Sequence, residues 1–199
     1  MIRSAILWMI ISYFVGSFPT GYLVVRLFKG LDIRAIGSGG TGATNVRRVM
    51  GNKWAVAVTV ADMLKGALAL LFTVASVGVS PVHLSLAGFA VVLGHNFPIW
   101  LKFRGGKGVA TTYGVVFFLW PYESFAVALM SGAIWYAVLS STHYVSLASM
   151  LSLLSIPVFF EMLDAPRSFV VVSFVLAVFA IIRHKSNIER LTHGKENKV

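Results

Sequence analysis

The sequence predicts an all-α integral membrane protein of about seven transmembrane helices, with its N-terminus outside and its C-terminus cytoplasmic. Three observations predict it. Of the 199 residues, 57% are hydrophobic and only 12% charged, where a soluble domain carries about 25% charged residues. The apolar residues fall in long runs, and the lysines and arginines collect in alternate gaps between those runs.

Hydrocarbon admits only helices and closed barrels, because each backbone polar group inside it needs an internal partner, and a crossing helix needs about 20 largely apolar residues. The candidate spans are 4–26, 54–78, 83–101, 109–121, 124–140, 143–163 and 167–183. The first run, Ser4 to Val25, is longer than the apolar core of a signal peptide and contains Pro19 and Gly21, so it reads as a span. The second carries Asp62 and Lys65. A charge facing lipid at mid-bilayer costs about 2.5–3.5 kcal/mol, so both face protein. Their spacing lets them pair, and a structural ion pair and a place beside a functional site are both open. Toward the end of the third run stand His95 and Asn96, where a packed interfacial histidine is the plainer reading. The fourth and fifth are short and joined by Pro121-Tyr122-Glu123, so one broken or re-entrant element, and a count of six, is the alternative.

Short loops rich in Lys and Arg stay in the cytoplasm. The gaps after the first, third and seventh spans hold Lys29, Arg34, Arg47, Arg48 and Lys53, then Lys102, Arg104 and Lys107, then Arg183, Lys185, Arg190, Lys195 and Lys198. The opposite side has Arg3 and Arg167 with Glu123, Glu161 and Asp164. The whole of 1–199 is read as a single polytopic domain with cytoplasmic segments near 32–51, 102–110 and 183–199. The net charge of +10 therefore points to anionic headgroups and substrates, and no nucleic-acid partner is expected. Cysteine is absent and the 5 histidines are scattered, with neither HExxH nor an acidic cluster, so no metal or cofactor is expected.

Each cytoplasmic segment carries a candidate chemistry. The first, DIRAIGSGGTGATNVRRVMG from Asp32 to Gly51, is polar and glycine-rich and ends basic. Gly37, Gly39 and Gly42 fit GxGxxG, but that fingerprint needs a strand and a βαβ unit that a helical chain lacks. Backbone N–H groups with Ser38, Thr41 and Thr44 can still present donors to a phosphate, and Arg47 or Arg48 adds a forked cation. The plain alternative is a solvated loop. In the second, GHNFPIWLKFRGGKGVATT, Gly105, Gly106 and Gly108 surround Lys107. Walker A spacing fails, because Leu101 and Gly108 stand where glycine and Ser/Thr are needed. Glycines let a phosphate approach the backbone, and Lys107 supplies a point charge at the start of the fourth span. In the third, RHKSNIERLTHGKE, a helix continued past the last span puts His184 and Asn187 on one face, as base or anion donor and hydroxyl positioner. An amphipathic tail on anionic lipid is the plainer reading of that segment alone.

These three segments in this order resemble the motifs of the bacterial acyl-phosphate:glycerol-3-phosphate acyltransferase family, through GSGGTGATNVRR, GHNFPIWLKFRGGKGVAT and RHKSNIERLTHGKE, and DMLKG in the second span is similar too. The resemblance covers nearly the whole chain. It implies a bacterial inner-membrane enzyme with a cytoplasm-facing site that moves a fatty acyl group from acyl phosphate to the first hydroxyl of glycerol 3-phosphate, giving lysophosphatidic acid and phosphate. Family members usually have Asn where Gly40 stands and Lys where Arg104 stands. On this reading Gly105, Gly106, Lys107 and Gly108 hold acyl phosphate, and Ser38, Thr44, Asn45, Arg48, His184 and Asn187 hold glycerol 3-phosphate. Ser38, Arg48, Lys107, His184 and Asn187 are the catalytic set. The expected partners are those two substrates and membrane lipid, with no obligate protein partner. A small transporter of a phosphorylated solute is the rival, since charges in spans often mark pathways. No paired repeat supports it.

Overall fold

The computed structural model describes residues 2–119 and 121–199. All regular structure among them is helical, and the chain forms two compact units, Met1–Val115 and Val116–Val199.

The first unit contains α1 (Ile2–Ser17), α2 (Thr20–Lys29), α3 (Ala43–Met50), α4 (Asn52–Val77), α5 (Pro81–Asn96) and the start of α6 (Val109–Leu119). The first apolar run, expected as one span, is one span by length and composition, Arg3–Lys29, and its helix is interrupted at Phe18-Pro19 between α1 and α2, because proline has no N–H to donate and its ring crowds the preceding turn. Along α4 large apolar side chains face outward, while polar ones are buried beside Val58 and Leu70. Val56, Val60, Leu64, Leu68 and Phe72 are exposed, while Asp62, Lys65, Gly66, Ala69 and Thr73 are buried. That sorting suits a hydrocarbon solvent, which favours apolar side chains outside and polar ones against protein.

Glycine sets how closely these helices pack. A Cβ on Gly16 of α1 would strike the Val91 carbonyl of α5, and one on Gly94 of α5 would strike the Tyr13 carbonyl of α1. Gly66 of α4 and Gly114 of α6 make the same reciprocal contact, through the Thr111 and Met63 carbonyls. Small residues at both sides of a crossing let backbones touch, the usual basis of helix association in lipid.

The second unit contains the rest of α6, α7 (Pro121–Thr142), α8 (Val145–Met162), α9 (Arg167–Arg183) and α10 (Lys185–Thr192). Its core joins α8 and α9 through Leu153, Ile156, Phe160, Phe169 and Leu176, with the Phe160 and Phe169 rings 6.2 Å apart. The last apolar run does not continue straight into the tail, since α9 and α10 meet at 60°.

Among the described residues, 5 helices are long and apolar enough to cross a membrane, and 6 if α9 with α10 counts as one span. The chain is thus a multi-pass membrane protein by length and composition. With 11 residues, α6 extends about 16 Å at 1.5 Å per residue, against a hydrocarbon core of about 30 Å. It is the short element that keeps the number of long spans below the expected seven. Residue 120, inside the expected fourth span, lies outside the described residues.

Candidate functional site

The first glycine-rich segment is a shaped loop. Val25 of α2, Ile33, Val46 of α3 and Val58 of α4 form a fully buried cluster beneath it. Asn45 of α3, 2% exposed, faces into the loop. Its Nδ2 lies 3.1, 2.9 and 2.9 Å from the carbonyls of Ile33, Ile36 and Gly40, and its Oδ1 accepts from the Ser38 N–H at 3.3 Å. An amide has two hydrogens, so three carbonyls more than saturate it. Asn45 was expected among the glycerol 3-phosphate ligands; its amide is instead committed to holding the loop. Gly37, at φ +58°, needs the left-handed region, and a Cβ there would meet Asn45 Oδ1. The loop so held leaves Ser38, Thr44, Arg47 and Arg48 exposed.

Arg34 joins this loop to the second one. Its guanidinium makes a 2.7 Å ion pair with Asp32, donates to the Leu101 carbonyl at 3.2 Å, and lies 5.2 Å from the Tyr22 ring centroid. Its hydrogen bond holds the Asp32 carboxyl down to about 2. Nothing in the spacing singles out Arg34 beyond the Asp-x-Arg pattern that forms the ion pair.

After α5 the chain turns through Pro98 and two left-handed residues, Lys102 (φ 53°) and Phe103 (φ 61°), and lies back on the helix it left. The N–H groups of Gly105 and Gly106 donate to the carbonyls of Asn96 and His95, both at 3.2 Å. Those carbonyls end a helix and have no partner inside it. The glycines were expected to offer their backbone to a phosphate, but these two N–H groups are used to cap α5. Close approach is what the glycines supply: a Cβ on Gly105 would meet the His95 carbonyl and Pro98, and one on Gly106 the His95 imidazole. Gly108, at φ +80°, turns the chain into α6. Lys107 is thus presented, half-buried, one residue before that turn. The first N–H groups of α6 have no intrahelical partner, and with Lys107 they form a cationic, donor-rich corner suited to an anion.

Within α4, Lys65 Nζ is 2.8 Å from Asp62 Oδ1, so the pairing read from the spacing is made. His95 approaches the same oxygen, with Nδ1 at 3.7 Å. That third partner lies on another helix.

In the second unit, His184 and Asn187 are buried, 2% and 5% exposed, at the bend between α9 and α10. They remain one turn apart, the Asn187 N–H donating to the His184 carbonyl at 2.8 Å. His184 Nδ1 is 2.7 Å from the Ala180 carbonyl. A carbonyl oxygen only accepts, so Nδ1 carries the proton and the lone pair of the neutral ring sits on Nε2. Asn187 Nδ2 donates to Glu196 Oε1 at 2.6 Å, which fixes the flip of that amide and turns its Oδ1 away from the carboxylate. Glu196 also accepts from Ser146 Oγ at 2.9 Å and Arg190 Nε at 2.7 Å. Burial pushes its carboxyl up, but the hydrogen bonds from Asn187, Arg190 and Ser146 outweigh that and leave it below the ordinary value. Among the described residues no group of 3 His, Cys, Asp or Glu is placed to hold a metal.

Comparison with known proteins gives one answer. The family model for glycerol-3-phosphate acyltransferase matches residues 6–194. The chain is 45% identical to the glycerol-3-phosphate acyltransferase of Desulforudis audaxviator, over 94% of this chain and 92% of that one. With the enzyme of that name from Aquifex aeolicus it shares 40% identity, over 98% of each. The crystal structure of PlsY, an integral membrane glycerol 3-phosphate acyltransferase in its glycerol 3-phosphate form, superposes with a TM-score of 0.91 at 40% identity, covering 98% of this chain and 96% of that one. The lysophosphatidic acid form of PlsY gives 0.88 at 39% identity, covering 98% and 95%.

Proposed function

The chain belongs to the glycerol-3-phosphate acyltransferase family, and we propose that it moves a fatty acyl group from acyl phosphate to the sn-1 hydroxyl of glycerol 3-phosphate. The products are lysophosphatidic acid and phosphate, in the first acylation of phospholipid synthesis. The observation that carries this reading is the second loop, lashed to the end of α5 so that Lys107 stands at the start of α6. A cation and a helix N-terminus at one corner suit the phosphate of an anionic donor.

Acyl phosphate is a mixed anhydride with a good leaving group already in place, so neither a covalent nucleophile nor a cofactor is needed. The sn-1 oxygen bonds to the acyl carbon, the bond from that carbon to the phosphate oxygen breaks, and phosphate leaves with the electron pair. Lys107 and the N–H groups at the start of α6 neutralise charge on the leaving phosphate, with Gly105, Gly106 and Gly108 bringing the loop to it. Ser38, Thr44 and Arg48 hold glycerol 3-phosphate, and Asn45 contributes by holding the loop that carries Ser38. The assignment of His184 and Asn187 to the same substrate rests on the motif resemblance. The Nε2 lone pair of His184 fits a base for the hydroxyl proton, and a phosphate oxygen of a bound substrate is the other acceptor. Binding the reactants together supplies several kcal/mol of the barrier, and donors aimed at the developing oxyanion add more.

On the same reading, residues 1–199 form one polytopic domain of the bacterial inner membrane with α6 as its seventh, short crossing, the N-terminus outside and the three motif segments cytoplasmic. Water-borne glycerol 3-phosphate and a lipid-borne donor then meet at one face, with no obligate protein partner. Purified protein in lipid, given acyl phosphate and labelled glycerol 3-phosphate, is expected to form labelled lysophosphatidic acid. Absence of that product, together with uptake of the label into vesicles, would overturn the assignment in favour of a transporter.

A further inference from the structure

The charged pair inside α4 has no part in the chemistry above, yet it reaches the break between α1 and α2 on one side and the end of α5 on the other. Asp62 and Lys65 are 3% and 7% exposed within a span. Two buried charges recover their desolvation cost only with good geometry, and a neutral pair of similar size is often as stable. What charges add is direction. Lys65 Nζ, besides its contact with Asp62, donates to the Phe18 carbonyl at 3.2 Å, at the break between α1 and α2. Just beyond that break Gly21 lies against the Thr41 carbonyl of the first loop, so closely that a Cβ could not fit. On the other side Asp62 Oδ1 faces His95 Nδ1 at 3.7 Å. The imidazole of His95, 7% exposed, fills the place a Cβ on Gly106 would take, and its own carbonyl receives the Gly106 N–H. A continuous path therefore runs from the α4 pair through His95 to the residue before Lys107.

We infer that Asp62, Lys65 and His95 are positioning residues for acyl transfer, the pair fixing the His95 ring as the bed on which Gly106 rests and so setting where Lys107 stands. The inference rests on the reading of that loop as the acyl-phosphate site. Asp62 orients the ring from behind, and Lys65 keeps the Asp62 carboxylate paired while tying it to the break below the first loop. All three act through the placement of Gly106 and Lys107.

The test compares four proteins in lipid: the parent, the double variant Asp62→Asn/Lys65→Met, Lys107→Ala, and the triple combination. Removing both charges together avoids stranding one of them in the span, which separates position from folding. The double variant is expected to insert and to unfold near the parent temperature, while kcat/KM for acyl phosphate falls about 10–100-fold, the scale of a misplacement of about 1 Å. In the triple variant the double substitution should add almost nothing to the Lys107→Ala loss, because both act through one ammonium group. A double variant with kcat/KM within about twofold of the parent, a loss that only follows the unfolded fraction, or full additivity with Lys107→Ala would each overturn the inference. Near-normal turnover by Lys107→Ala would instead sink the reading of the loop, and this inference with it.

Discussion

Replacing Gly106 by alanine puts a methyl group where the His95 imidazole already lies. The new Cβ would sit on Nε2, with Cδ2 and Cε1 both at 3.0 Å. Ordinary carbon contacts are about 3.5–4.0 Å, and the ring is too buried to swing into solvent. The loop must therefore lift, and overpacking of this kind costs about 1–3 kcal/mol of stability. A lift of about 1 Å displaces Lys107 with it, which is enough for a loss of about 100-fold in kcat/KM, or about 2.7 kcal/mol of transition-state stabilisation. The assay is initial-rate acyl transfer to labelled glycerol 3-phosphate with acyl phosphate varied, beside thermal unfolding of the same samples. If Gly106 served only to let a phosphate approach, KM alone would rise; displacement of Lys107 lowers kcat as well. Gly40→Asn is the control, because a Cβ on Gly40 meets only Ser38 Oγ, at 3.7 Å. That substitution, toward the residue usual in the family, should leave stability within about 0.5 kcal/mol. Full activity in Gly106→Ala, or a defect in Gly40→Asn of equal size, would refute the reasoning.

Lys107→Ala should cut turnover by a factor of about 100 or more while leaving insertion and helix content intact, as judged by circular dichroism, since it removes charge and little packing. Asn45→Ala strands loop carbonyls at a buried position, at about 1–3 kcal/mol; a clear drop in unfolding temperature is expected, and an unchanged one would show that the loop holds its shape without the amide. Asp32 and Glu196 both have folded-state values below their unfolded ones. Their contributions are complete above the unfolded carboxyl range, about 4, and drain away as pH falls through the folded values, which for Asp32 is about 2. Thermal stability should therefore be level from neutral pH to about 5 and decline below about 4. The decline should be shallower in Glu196→Gln, and an equal slope would remove Glu196 from the account.

Much of the site was readable because its signals are local. The glycines around Lys107, the basic end of the first loop and the pairing of Asp62 with Lys65 are all written within a few residues. The partners that give these groups their roles are not. Asn45 looks like a ligand in a polar stretch until its amide is seen among the carbonyls of Ile33, Ile36 and Gly40. Gly105 and Gly106 look like phosphate donors until their N–H groups are found on Asn96 and His95. Arg34 reaches Leu101, and His95 reaches Asp62, across stretches of chain that no periodicity connects.

Composition and the order of apolar runs determined by themselves that this chain lives in a bilayer, because partition into hydrocarbon depends on the sum over a segment and hardly on what lies beside it. The motif order determined the family for a similar reason, being a property of the string. Tertiary structure alone decided that the last run bends at His184 and that the loop before α6 is held from beneath by His95. Each of those outcomes depends on which carbonyl or side chain stands within hydrogen-bonding or contact distance, and packing between helices, not sequence spacing, sets that distance.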